Sequence, residues 1–98
     1  MSTIVATVGE PFEVELPERP TTGYRWRLEP VPEDVEILDA PFSPPPPGKL
    51  GAAGVRRFVL RATRPGVLEL CFRSARSSTE EAPVEQAVEV RVRARPQD

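Results

Sequence analysis

Proline is the feature of this sequence that most limits the folds open to it. Thirteen of the 98 residues are proline, well over twice the usual frequency of about 5%. Proline breaks helices and is kept out of the centre of a sheet. Here the prolines gather between short segments in which apolar and polar residues alternate. The chain is therefore expected to fold from short strands, with the prolines marking their connections.

The alternating segments predict the number of strands. Clear two-residue periods cover 12–16, 24–29, 57–61, 68–73 and 87–93, and weaker strands fit 3–8 and 34–38. No segment keeps a 3.6-residue apolar period for three turns, so helices are not expected. About seven to eight short strands in one domain, spanning 1–98, predict an all-β fold. The expected architecture is an immunoglobulin-like antiparallel β-sandwich with Greek-key connections.

The alternation also predicts which side chains form the core. The residues expected to point inward are Phe12, Val14, Leu16, Tyr24, Trp26, Leu28, Phe58, Leu60, Leu68, Leu70, Phe72, Val88, Val90 and Val92. The outward-facing Glu13 and Glu15 need cationic neighbours across the sheet. Arg61, on the expected partner strand, is the candidate.

The composition excludes several classes of function. The chain has no histidine and a single cysteine, Cys71. Without an imidazole no Ser-His-Asp or Cys-His catalytic group can form, and one cysteine makes neither an internal disulfide nor a thiolate zinc cage. A net charge of −2 offers nucleic acid no basic surface. We therefore expect no enzyme, cofactor, metal or nucleic acid, and carboxylate-based catalysis is the remaining enzymatic alternative.

The sequence also bears on membrane contact, location and assembly. No apolar run approaches the roughly 20 residues that cross a bilayer, so no membrane contact is expected. The N-terminus lacks the basic and apolar regions of a secretory signal. This predicts a cytoplasmic protein, or a periplasmic or secreted one whose leader was removed, and we expect a monomer.

Three connections are too long or too distinctive to be simple turns. They join the second and third strands (the B–C loop, predicted at 17–23), the fourth and fifth (the D–E loop, predicted at 42–54) and the last two (the F–G loop, predicted at 74–85). In a Greek-key sandwich these loops can meet at one end. A rigid scaffold that presents three loops on one rim is typical of a binding protein. The run Pro44 to Pro47 is expected to stiffen the D–E loop, although such runs also bind aromatic grooves.

Two of the loops carry a recognisable pattern. Arg19-Pro20-Thr21-Thr22-Gly23-Tyr24 resembles the Asn-Pro-Thr-Thr-Gly-Tyr motif of the chagasin-type inhibitors of papain-like cysteine peptidases. Gly51-Ala52-Ala53-Gly54 is similar to the Gly-x-Gly-Gly motif that this family carries before its fifth strand. The resemblance covers nearly the whole chain. This chain departs from the family pattern at Arg19 and at Ala53. It also lacks the third family motif, Arg-Pro-Trp, whose positions, counted from Phe72, fall on Ser74, Ala75 and Arg76.

The resemblance implies a function and a set of contact residues. The expected function is reversible, competitive inhibition of a papain-like cysteine peptidase, with the B–C loop in the active-site cleft and the other two loops on either side. The peptidase-binding residues would be Arg19, Pro20, Thr21, Thr22, Gly23, Gly51, Ala52, Ala53, Gly54, Ser74, Ala75 and Arg76. The alternative is an immunoglobulin-like protein-binding module of the same ancestry that has lost peptidase inhibition.

The B–C loop also has physical properties that suit a contact loop. Pro20 fixes its own φ and favours extended geometry at the residue before it. Thr21 and Thr22 are β-branched and lose little side-chain entropy on docking. Gly23 can adopt a positive φ and lets its backbone approach a partner closely.

Overall fold

A computed structural model describes residues 2–19, 23–48, 52–75 and 84–96. Eight strands lie within these ranges: β1 (Ser2–Thr7), β2 (Pro11–Glu18), β3 (Arg25–Leu28), β4 (Val35–Asp39), β5 (Phe42–Ser43), β6 (Gly54–Ala62), β7 (Gly66–Ala75) and β8 (Val84–Arg93). The predicted all-β fold is confirmed. In chain order the D–E loop joins β4 to β6 and contains the two-residue strand β5, which the sequence pattern did not predict.

The strands form two sheets that pack face to face. The first sheet has the order β1-β8-β7-β3, and the second has the order β2-β6-β4, with β5 also paired to β6. Successive strands β2 and β3 belong to different sheets, as do β6 and β7, so the chain crosses between the layers. The pairs are antiparallel except β1 with β8, which is parallel. The predicted antiparallel β-sandwich is confirmed, with the single exception that the pair at this edge is parallel.

Charged residues pair across the outer face of the second sheet. Glu13 and Glu15 each lie 3.5 Å from Nε of Arg57, because Glu15 is directly opposite Arg57 in the β2–β6 register. Arg61 pairs instead with Glu36 on β4, at 3.0 Å. The partner strand was predicted correctly but the partner residue was not. Exposed pairs of this kind contribute at most about 1 kcal/mol each.

The core lies between the two sheets and follows the predicted alternation. The predicted core residues that are buried are Phe12, Val14, Leu16, Leu28, Phe58, Leu60, Leu70, Phe72, Val88, Val90 and Val92. The rings of Phe58 on β6 and Phe72 on β7 meet across the layers with their centroids 5.0 Å apart. Trp26 and Leu68 are only partly buried against this cluster, and Tyr24 is half-buried.

Candidate functional site

Several strands begin or end at the same rim of the sandwich. In the second sheet the last residue of β2, Glu18, pairs with the first residue of β6, Gly54. In the first sheet Arg25 at the start of β3 pairs with Ala75 at the end of β7, and β8 begins at Val84. The bases of the B–C, D–E and F–G loops therefore lie at one end of the molecule, as predicted.

A depression of about 320 Å³ opens between these loop bases. It is lined by Pro17, Glu18, Arg19, Tyr24, Trp26, Ala53, Ser74 and Val84. Most of these side chains are apolar, and Val84 is 61% exposed. Residues from all three loop bases thus meet around one concave, mainly apolar surface.

The B–C loop is closed at its base by two hydrogen bonds between the sheets. The backbone N–H of Trp26 donates to Oε1 of Glu18 at 3.0 Å. The indole Nε1–H of Trp26 donates to the carbonyl oxygen of Pro17 at 2.7 Å. Glu18 and Pro17 belong to β2 and Trp26 to β3, so these bonds join the two ends of the B–C loop across the layers.

The D–E loop is tied to the same point through Arg56. Its Nη2 lies 2.7 Å from Oε2 of Glu18, and its Nη1 donates to the carbonyl oxygen of Ala40 at 2.7 Å. The guanidinium also lies over the ring of Phe42, 5.2 Å from the centroid. Arg56 follows the end of the D–E loop by two residues, while Ala40 and Phe42 lie near its start. One side chain therefore connects both ends of the D–E loop to the base of the B–C loop.

The Glu18 carboxylate is ionised by its surroundings despite its burial. Its side chain is only 2% exposed, and this desolvation raises the pKa. The hydrogen bonds from Arg56 and the Trp26 amide, with the charges of Arg56 and Arg25, lower it by more. The net effect is a pKa below its ordinary value of 4.5. Glu18 and Arg56 therefore form a charged pair at neutral pH.

Two glycines at the loop bases have physical reasons to be glycine. Gly23 has φ of +79°, a left-handed conformation that side chains with a Cβ adopt at a cost. This confirms the predicted positive φ. Gly54 is crowded instead, because a Cβ there would lie 2.6 Å from Cζ of Phe42 and against the carbonyl oxygen of Ser43.

The predicted contact residues fall into two groups. Pro20, Thr21, Thr22, Gly51 and Arg76 lie outside the described residues. Of the others, Arg19 and Ala53 line the depression, Gly23 and Ala52 flank the loop tips, and Gly54 begins β6.

Ser74 and Ala75 were expected in the F–G loop, but they are the last two residues of β7. Ser74 is 8% exposed and lines the depression from within the strand. Counting from Phe72 placed the Arg-Pro-Trp motif at 74–76, and the first two of these positions therefore belong to β7.

Glu18 and Arg56 were not predicted as functional residues from the sequence. A signal was present, because Glu18 continues the inward row of Phe12, Val14 and Leu16, and Arg56 continues that of Leu60 and Phe58. A charged residue at an inward position must be paired. The alternation was not followed as far as Glu18 because Pro17 suggested that the strand had ended. Proline is tolerated there because β2 is an edge strand.

Within the described part of the chain, no group of three or more acidic or cysteine side chains is arranged to hold a metal ion. No helix long and apolar enough to cross a membrane occurs there.

Comparisons with known proteins agree with this geometry. The family model described as "Chagasin family peptidase inhibitor I42" matches residues 5–92. Chagasin of Trypanosoma cruzi is 34% identical over an alignment of 62 residues, and the match covers 58% of this chain and 56% of chagasin. The match thus spans little more than half the length of that relative.

Two solved structures share the fold. The cysteine protease inhibitor EhICP2 of Entamoeba histolytica superposes with a TM-score of 0.76 at 19% identity, over 94% of this chain and 86% of EhICP2. The solution structure of amebosin gives a TM-score of 0.70 at 24% identity, over 93% and 88% of the two chains. The family match includes every strand pairing at the loop rim. By its sequence over 5–92 this chain belongs to the chagasin family of peptidase inhibitors, I42.

Proposed function

We propose that this chain is a reversible, competitive inhibitor of papain-like cysteine peptidases. The B–C loop enters the active-site cleft, and the D–E and F–G loops contact the peptidase on either side. The observation that carries this proposal is the family match over residues 5–92, which includes all three loops. The common rim and its apolar depression support it.

Inhibition of this kind needs no chemistry from the inhibitor. The chain contains no histidine, so the proposed action is blockage of the cleft and not reaction with it. The contribution of the scaffold is to hold the loops in one arrangement before docking. A loop that is ordered in advance loses less entropy on binding, and more of its contact energy appears as affinity.

The base of the B–C loop has this preorganised character. The bonds from Trp26 to Glu18 and Pro17 fix its two ends, and Pro20 restricts the backbone between them. Gly23, before β3, has a positive φ. A loop held at both ends relaxes slowly into the extended form that a peptidase cleaves, so it acts as an inhibitor and not as a substrate.

The test is titration of the chain into papain while a fluorogenic peptide substrate is hydrolysed. Competitive inhibition predicts that the apparent inhibition constant rises linearly with substrate concentration. Thr22→Trp, at the proposed tip, should abolish inhibition by steric obstruction. Thr63→Trp is the matched control, because Thr63 is exposed beyond the end of β6, at the opposite end of the sandwich.

Three results would contradict the proposal. One is an inhibition constant independent of substrate concentration, and another is equal inhibition by Thr22→Trp. The third is no inhibition of any papain-like peptidase by the folded chain, which would favour the alternative of a protein-binding module that has lost this activity.

A further inference from the structure

The inward-facing side chains of β2 and β6 include a charged residue on each strand near the bases of the B–C and D–E loops. On β2, Phe12, Val14 and Leu16 are followed on the same face by Glu18, which is 4% exposed. On β6 the inward row reaches the rim through Arg56, whose side chain is 20% exposed, and then Gly54, the first residue of the strand. Glu18 lies opposite Gly54 and Arg56 lies opposite Leu16, so the two charged side chains meet from neighbouring inward positions. The inner face of these two strands therefore ends beneath the loops in an ion pair, whereas the inward side chains farther from the loops are apolar.

Stability alone does not account for this pair. Removing two charges from water costs several kcal/mol per ion, and well-packed apolar residues in place of such a pair are often equally or more stabilising. An apolar pair does not fix the relative orientation of its two side chains, because apolar contacts are not directional. A bidentate guanidinium–carboxylate contact fixes the relative position and orientation of its two partners.

The pair and its contacts lie on the four segments that flank the B–C and D–E loops. Glu18 accepts the Trp26 amide on β3, and Arg56 binds Glu18 on β2. Arg56 also binds the carbonyl of Ala40 and stacks on Phe42, before and within β5. The pair thus links both sheets and both ends of each loop.

We propose that Glu18 and Arg56 are positioning residues that fix the B–C loop relative to the D–E loop, and that they set the strength of inhibition without touching the peptidase. This inference rests on the proposed function for its effect on inhibition. Its structural content, a fixed spacing between two loop bases, does not depend on that function.

The test compares three variants of the full chain. Glu18→Gln retains an acceptor for the Trp26 amide but removes the charge, and Arg56→Met removes the guanidinium while retaining an unbranched apolar side chain. Each leaves one member of the pair buried without its partner and should lower the thermal midpoint. The double variant Glu18→Gln/Arg56→Met removes both charges and should recover most of that loss.

Inhibition should not recover with stability. We expect all three variants to inhibit papain at least tenfold more weakly than the parent chain. Val92→Ala is the control for destabilisation alone, because Val92 is buried at the opposite end of the sandwich, opposite Gly66. It should lower the thermal midpoint and leave the inhibition constant unchanged. A double variant that inhibits as well as the parent chain would overturn the proposal.

A second measurement is independent of any peptidase. Amide hydrogen exchange should become faster at Gly23 and Ala53 in the double variant, and remain unchanged at Gly9 and Gly66 at the other end. Unchanged exchange at Gly23 and Ala53 would overturn the positioning role even if inhibition were weaker. If the parent chain does not inhibit papain, the proposed function fails, and the exchange rates alone decide this inference.

Discussion

Gly54 provides the most direct test of how the D–E loop is held. In Gly54→Ala the new Cβ would lie 2.6 Å from Cζ and 2.9 Å from Cε1 of Phe42, and would press on the carbonyl oxygen of Ser43. The ring can move, but the Ser43 backbone is paired with Val55 in the β5–β6 ladder. The methyl group can therefore be accommodated only if β5 shifts away from β6.

The expected cost follows from this crowding. An extra methyl in a closely packed site costs about 1–3 kcal/mol, so we expect the free energy of unfolding to fall by about 2 kcal/mol. At roughly 4–8 °C per kcal/mol for a domain of this size, the thermal midpoint should fall by roughly 8–16 °C. The inhibition constant should rise as well, because Phe42 is the ring on which Arg56 stacks.

Denaturant unfolding and amide exchange at Ser43 are the assays. Gly48→Ala is the control within the same loop, since a Cβ at Gly48 meets nothing within 4 Å and its cost is limited to the strain of φ +86°. Gly48→Ala should leave exchange at Ser43 unchanged, and Gly54→Ala should accelerate it. A Gly54→Ala variant as stable as the parent chain would show that the close approach of β5 to β6 is incorrect.

Three other predictions concern the loop rim. Gly23→Ala and Gly9→Ala, at φ of +79° and +81°, should each lose about 1–2 kcal/mol of stability, but only Gly23→Ala should weaken inhibition; equal inhibition constants would contradict the role of Gly23. Because the folded-state pKa of Glu18 is lowered, its carboxylate stabilises the fold above its unfolded pKa, and this contribution is lost as the pH falls below about 4.5. Urea unfolding from pH 7 to pH 3 should therefore show a smaller loss of unfolding free energy in Glu18→Gln than in the parent chain. The same dependence of the unfolding free energy on pH in both proteins would refute the lowered pKa. Because β7 ends at Ala75, the double variant Ser77→Pro/Ser78→Trp, which makes Arg-Pro-Trp at 76–78, should tighten inhibition at least tenfold. The same motif at 74–76 should not, and a lower inhibition constant for the 74–76 variant would contradict the placement at 76–78.

The sequence pattern predicted the layers of the fold better than their arrangement. Alternation identifies inward residues such as Val14 and Leu60 because a half-buried strand must place every second side chain in the core. It contains no information on strand order, so the parallel pairing of β1 with β8 was not predicted. It also does not fix the register between strands, which is why Arg57, and not Arg61, faces Glu13 and Glu15.

The sequence indicated the loops of the candidate site but not the residues that hold the bases of those loops together. The B–C and D–E motifs are local, and they can be read directly from Pro20 to Gly23 and from Gly51 to Gly54. The support depends on two residues that lie 38 positions apart, Glu18 and Arg56, which meet only because β2 and β6 are neighbours. Strand ends were the other source of error, since the polar Ser74 resembles a loop residue yet is buried in β7.

The central claim is that this chain occupies the active-site cleft of a papain-like peptidase. Its most direct test is the rate at which iodoacetamide alkylates the active-site cysteine of papain in the presence of excess chain, with complex formation verified by size-exclusion chromatography. We expect alkylation to slow in proportion to the fraction of papain bound, and Thr22→Trp to give no protection. Alkylation at the full rate of free papain in a saturated complex would show that the chain binds elsewhere, and would contradict the account.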